Sequence, residues 1–242
     1  MSPASSGSAA PVLAAGLAKC STIDFPGKLS CVVFFRGCDL DCFYCHNRQL
    51  LTSAPAPEDI PWEEVSAFLR KRRGMLEGVV FSGGEPTLRP QLPRLIREAR
   101  DLGYRIKLDT NGQRPCAVRA LLEAGLLDYA AVDWKAVPAA WGEVCGGSWE
   151  RARETILLLL ESGLPMEART TLYPGLTAGE LLELAGGLPP LPRWRLNLFR
   201  RPETIRPGDE ERLQAPALGP AQLRLMEDAL KKAQPGVIIP QG

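Results

Sequence analysis

The sequence predicts an α/β fold in which a parallel sheet, covered by helices on its outside, curls into part of a (β/α) barrel. Three observations predict it. Apolar, β-rich runs alternate with segments of helical period along the 242 residues, six times over. The first run, LSCVVFF at 29–35, is continuously apolar, the pattern of a strand buried on both faces of a parallel sheet. Residues able to do chemistry gather just after the first five strands, where barrels and open α/β sheets carry their sites.

The elements follow in order. Strands are expected at 29–35, 78–82, 105–109, 129–133, 166–172 and 193–199. Helices are expected at 58–73, 90–102 (proline near the start), 115–124 (ended by Gly125), 149–161 (closed by Ser162-Gly163), 178–188 and 221–233. Right-handed crossovers between parallel strands bend such a chain toward a barrel. No domain boundary is evident before about residue 200, so residues 16–242 read as a single domain. The proline- and glycine-rich stretch 201–220 reads as a connector to the last helix, and the small, low-complexity residues 1–15 as a disordered leader.

Composition narrows the function. Apolar residues make up 45% and charged residues 24%, enough for a sizeable core. A net charge of +1 gives no basic excess to suggest nucleic acid. Arg70-Lys71-Arg72-Arg73 reads as a solvated helix end, with docking of an acidic electron-transfer protein as the lesser alternative. No run approaches membrane-spanning length. Seven cysteines, an odd count without a secretory signal, argue against a disulfide framework and for a reducing, cytoplasmic setting. There, clustered cysteines more often bind metal.

Cys38, Cys42 and Cys45 form such a cluster, spaced C-x3-C-x2-C directly after the first strand. Thiolates select zinc or iron–sulfur. A four-iron cluster on three cysteines leaves one iron open to a substrate or cofactor, which suits catalysis. The alternative is a Cys3His zinc site completed by His46, the only histidine, although a residue adjacent to Cys45 is awkwardly placed to share its metal.

The later strand ends add Ser82-Gly83-Gly84-Glu85-Pro86, Asp109-Thr110-Asn111-Gly112 and Asp133-Trp134-Lys135. Paired glycines let backbone approach a ligand, and a carboxylate beside them can accept from an ammonium. Each is weak alone: Asn-Gly is commonly a turn, and Asp109 could cap a helix. Arg169 falls in the middle of the fifth strand, where an unpaired buried charge would be costly, so it should face a polar cavity or a carboxylate.

C-x3-C-x-aromatic-C after the first strand, followed by GGE after the second, resembles the signature of radical S-adenosylmethionine (SAM) enzymes. The resemblance implies a partial (β/α)6 TIM-like barrel of the radical SAM type. It also implies a [4Fe-4S] cluster on Cys38, Cys42 and Cys45, and reductive cleavage of SAM to a 5′-deoxyadenosyl radical. It would place Tyr44 near the adenine and Gly84 and Glu85 at the methionine amino group. D-T-N-G and D-x-K resemble glycyl-radical enzyme activases. This implies that Lys135 contacts the SAM carboxylate, and that Asp109, Thr110, Asn111 and Asp133 surround the methionine end, where some relatives hold a monovalent cation. Arg169 would lie near SAM. Pyruvate formate-lyase activases carry a histidine near the end of strand six, where this chain has Phe199-Arg200.

Ser21-Thr22-Ile23-Asp24-Phe25-Pro26-Gly27-Lys28 and Cys45-His46-Asn47 sharpen the likeness. From Gly16 to about Arg201 the pattern is most similar to the longer type of anaerobic ribonucleoside-triphosphate reductase activating protein. That likeness implies hydrogen abstraction from a glycine of a partner glycyl-radical enzyme, anaerobic ribonucleotide reductase, with electrons from a flavodoxin or ferredoxin-type donor. Two alternatives stay open: a radical SAM enzyme acting on a small molecule, similar to deazapurine synthases, and a zinc-binding protein. Cys20, Cys31, Cys116 and Cys145 are scattered, and Cys31 reads as core.

Overall fold

The computed structural model describes residues 11–240. Its main sheet has eight strands in the order β10-β9-β8-β7-β6-β5-β3-β2. These are β2 (Gly16–Ser21), β3 (Ser30–Phe35), β5 (Gly78–Gly83), β6 (Arg105–Thr110), β7 (Tyr129–Asp133), β8 (Met166–Leu172), β9 (Trp194–Leu198) and β10 (Val237–Ile238). All pair in parallel except β2, which runs antiparallel to β3. The edge strands β2 and β10 do not pair with each other, so the curled sheet is an open barrel. The helices are α1 (Trp62–Arg72), α2 (Leu92–Asp101), α3 (Pro115–Glu123), the short α4 (Trp141–Val144), α5 (Trp149–Ser162), α6 (Ala178–Gly186) and α7 (Pro220–Ala233).

Local chemistry sets the boundaries. Ser148 caps α5 by accepting from the Arg151 amide at 3.2 Å, and Gly163 ends it in the left-handed conformation (φ 70°). Thr177 and Glu180 form a reciprocal capping box on α6. The six strand–helix units stand where the periodicity places them, with ends shifted by a few residues.

Each strand sends alternate side chains to opposite faces. Outward residues such as Val33, Val79, Ile106 and Leu108 pack under the helices in the large core. The inward face holds only a small apolar plug of Phe25, Val32, Val80 and Tyr129. From the level of the plug upward the barrel interior is ionic. Lys107 is fully buried with its Nζ 2.5 Å from Asp109, and Arg169 reaches both Asp109 (3.1 Å) and the fully buried Glu167 (2.8 Å).

Two expected segments differ from their simple reading. Of the leader over 1–15, residues 1–10 lie outside the described residues, but β1 (Leu13–Ala14) pairs antiparallel with β4 (Ile60–Pro61) and Ala14 is fully buried. The stretch 201–220 is more than a connector, because it straps the cysteine loop. Arg206 bonds Asp41 and Asp209, Arg212 sits 4.0 Å over the Phe43 ring, and Leu213 is buried. Among the described residues no helix is long and apolar enough to cross a membrane.

Candidate active site

The cysteine loop leaves the end of β3 and is pinned from three sides. The Gly37 amide donates to Leu50 O (2.8 Å), the Asp41 amide to Cys145 O (3.0 Å) and the Phe43 amide to Val144 O (3.1 Å). Arg48 holds the loop's Asp41 carboxylate and the Cys42 carbonyl. The thiols of Cys38, Cys42 and Cys45 are all free and all face one cavity of 680 Å³ at the carboxyl ends of the strands. Burial pushes the Cys38 thiol up to about 12 and raises Cys45 as well. The neighbouring Cys145 thiol and the Lys135 charge hold the Cys42 thiol below the ordinary thiol range, against burial.

The loop after β5 is locked beneath the cysteine loop. The Gly84 amide donates to Phe35 O (2.8 Å) and the Glu85 amide to Gly37 O (2.7 Å). A Cβ on Gly84 would run into the Gly37 carbonyl, so only glycine allows the approach. Gly84 lines the cavity. The Glu85 side chain does not. Fully buried, it accepts from Thr87 N (3.0 Å), Thr87 Oγ1 (2.5 Å), Thr110 Oγ1 (2.8 Å) and Asn111 N (2.7 Å). Burial raises its carboxyl, and these four donors pull it back. Glu85 therefore braces the ends of β5 and β6 together.

Asn111 lines the cavity and extends the brace. Its Nδ2 donates to Asp39 Oδ1 (2.8 Å) and reaches the Cys38 sulfur at 3.6 Å. Lys135 and Asp133 line the opposite wall, paired at 2.8 Å. Burial would lower the Lys135 ammonium, but Asp133, Cys42 and Tyr44 hold it well above the usual lysine range. Tyr44 lines the cavity with its ring stacked on Tyr173, centroids 5.2 Å apart and planes 10° apart.

Asp109, Thr110 and Arg169 stand apart from the cavity lining, as Glu85 does. Thr110 is consumed by Glu85, and Arg169 by Asp109 and Glu167. The cation expected beside Asp109 meets a carboxylate already neutralised by Lys107 and Arg169. Burial would raise Asp109, yet those two charges hold it below the ordinary carboxylate range. These four side chains are held by protein partners at the ends and interior of the strands, next to the cavity lining.

Thr171, Arg195 and Asn197, not among the residues the sequence points to, line the cavity from β8 and β9. The signal was the alternation Arg195-Leu196-Asn197-Leu198, which places two polar residues on the inner face. Phe199 and Arg200, the site of the missing histidine, line the cavity too.

The donor set fits an iron–sulfur cluster with an amino-acid-bearing ligand. The three thiols come from separate points of one loop, one sulfur available to each of three irons. Among the described residues no three His, Cys, Asp or Glu side chains are gathered as a mononuclear metal site would need. The Lys135 ammonium suits a carboxylate, and the cavity has the size of an ordinary cofactor site.

Residues 32–186 match the family model described as the Radical SAM superfamily. A protein of Methanocaldococcus jannaschii, named as an inferred glycyl-radical enzyme activating enzyme, is 32% identical over 181 residues, covering 71% of this chain and 72% of that one. A 7-carboxy-7-deazaguanine synthase of Thermococcus kodakarensis is 31% identical over 163 residues, covering 59% of this chain and 63% of the relative. The crystal structure of Streptococcus suis SuiB bound to S-adenosylmethionine superposes with a TM-score of 0.60 at 16% identity. It covers 83% of this chain, which spans 48% of that structure's length.

Proposed function

The chain belongs to the radical S-adenosylmethionine superfamily and is an enzyme of that kind, and from this premise we propose that it activates a glycyl-radical enzyme by taking hydrogen from a backbone glycine of that partner. Cys38, Cys42 and Cys45 would hold the [4Fe-4S] cluster, with Gly84, Asn111, Asp133 and Lys135 at the methionine end of SAM and Tyr44 at its adenine. Bound there, cluster and SAM supply a carbon radical able to abstract hydrogen. The protein's own part is positional. Lys135 offers a fixed positive charge to a carboxylate, the Glu85 brace holds Gly84 and Asn111 in register, and the cavity walls limit water.

The observation that carries this reading is the 32% identity to the M. jannaschii relative over most of both chains. The cavity's rim supports it. Ile23, from the segment before β3, is 76% exposed, and Leu198 at the end of β9 is 37% exposed. They place two exposed apolar side chains at the cavity, which suits contact with a protein loop. Anaerobic ribonucleoside-triphosphate reductase is the proposed partner, and a flavodoxin or ferredoxin the proposed donor.

The test is anaerobic mixing of cluster-loaded protein with SAM, reductant and the partner. A glycyl-radical signal by electron paramagnetic resonance is expected. Its absence with every co-encoded glycyl-radical protein, while SAM is still cleaved, would overturn the reading. That result would favour the second one, a small-molecule substrate. Similarity to the T. kodakarensis synthase and the polar inner face Thr171, Arg195 and Asn197 speak for that alternative.

A further inference from the structure

The barrel interior carries more positive charge than its own carboxylates answer. Lys107 and Arg169 share Asp109, and Arg169, Arg193 and Arg195 converge on the fully buried Glu167. Arg169 holds Glu167 at 2.8 Å, whereas Arg193 and Arg195 stand off at 3.6 and 3.5 Å. The Arg195 Nε is buried and, among the described residues, has no hydrogen-bond partner. Yet Arg195 lines the cavity, with its side chain 31% exposed. In the strand register it lies beside Arg169. Further toward the carboxyl ends Thr171 lies beside Asn197, and both of these face the cavity too. Lys135 differs, because Asp133 pairs with it at 2.8 Å. Arg200, just past β9, also lines the cavity. Among the described residues the lining thus holds three cations, Lys135, Arg195 and Arg200, against the single carboxylate of Asp133.

We propose that Arg195 determines substrate specificity: it receives a carboxylate on the molecule that gives up hydrogen, with Thr171 and Asn197 as neighbouring donors. A guanidinium left without a close acceptor in a half-buried site is costly. A carboxylate answers it with opposite charge and with two oxygens that match the planar fork. Glu167 does not fill that place, since Arg169 holds it more closely. The SAM carboxylate falls to Lys135 in the arrangement proposed above. The chemistry recognised is the same on an acidic side chain of a partner loop and on a small carboxylic acid. An amide of the same shape lacks the charge and the second acceptor, so the site separates acid from amide. The assignment rests on the cavity being the substrate site, and not on which of the two substrates it takes.

The experiment is anaerobic titration calorimetry of the full chain loaded with cluster and SAM, using two probe pairs. One is a blocked pentapeptide with aspartate beside a central glycine, against its asparagine form. The other is benzoate against benzamide. In at least one pair the acid should bind wild type about tenfold more tightly than the amide. Preference in the peptide pair identifies an acidic protein loop as the source, and preference in the benzoate pair a small acid. Arg195→Met should bring the ratio to about one. Arg195→Lys keeps the charge beside Glu167, and so the fold, but loses the fork, and its ratio should fall to about threefold. A wild-type ratio near one in both pairs, or a ratio that Arg195→Met and Arg195→Lys leave unchanged, would overturn the proposal. So would a loss of SAM affinity in Arg195→Met as large as the loss of acid preference, because it would place Arg195 on the cofactor. An acid preference that depends on Arg195 in a protein that gives no glycyl radical with its partner would overturn the activase reading and leave this one standing.

Discussion

Asn111 touches the sulfur of Cys38: its Nδ2 lies 3.6 Å from Sγ, while its backbone amide is held by Glu85 at 2.7 Å. The end of β6 is thereby tied to the cysteine loop through one side chain. Hydrogen bonds to cluster sulfurs favour the reduced, more negative state and so raise the reduction potential. Asn111→Ala should therefore move the cluster midpoint potential to more negative values, read by redox titration with paramagnetic resonance. An unchanged midpoint would show that the contact does not reach the cluster's electronics.

Glu85 is the structural keystone of the site. Its removal in Glu85→Ala leaves the buried amides of Thr87 and Asn111 without acceptors. The expected loss is about 3 kcal/mol of unfolding free energy, with a lower cluster occupancy. Urea denaturation of the full chain measures it. A loss below about 1 kcal/mol would contradict the bracing role.

The ionic barrel interior predicts a pH effect. Asp109 is held below its ordinary range in the folded protein, so it binds fewer protons there than in the unfolded chain. Its contribution is present above the ordinary carboxylate pKa of about 3.9 and is lost as pH falls through the depressed folded value. Arg169→Met removes a charge 3.1 Å from Asp109 and leaves the opposing effect of burial. Acid unfolding should then begin at higher pH than in the wild type, followed by circular dichroism. Coincident acid-unfolding curves would count against the network.

Much of this was legible in the sequence. The six strand–helix units and the cysteine loop follow from apolar periodicity and spacing, because parallel strands declare themselves by continuous apolar runs. β2 escaped because GLAKCS is neither apolar nor alternating and is held by pairing with β3. β10 escaped because two residues carry no period. Within the site, residue identity did not reveal side-chain direction. Glu85, Asp109 and Arg169 have charges that could face a cofactor, but buried donors and opposite charges of other strands claim them. The contact between Asn111 and Cys38 joins positions 73 residues apart in the chain, and only the fold brings them together.

Lys135 is a cation of the cavity wall, held in place by Asp133. Lys135→Met should leave cluster absorbance intact and weaken SAM binding about 10- to 100-fold, the worth of one charge-assisted hydrogen bond. Anaerobic equilibrium dialysis with cluster-loaded protein reads it. Equal affinity would remove Lys135 from the SAM site.

The most direct measurement is metal analysis and paramagnetic resonance of anaerobically reconstituted wild type beside Cys42→Ala. The account predicts about four iron and four sulfide per wild-type chain, with a reduced-cluster spectrum that changes on adding SAM, and neither cluster absorbance nor SAM cleavage in Cys42→Ala. Protein that takes up zinc in place of iron, or a cluster whose spectrum ignores SAM, would contradict it.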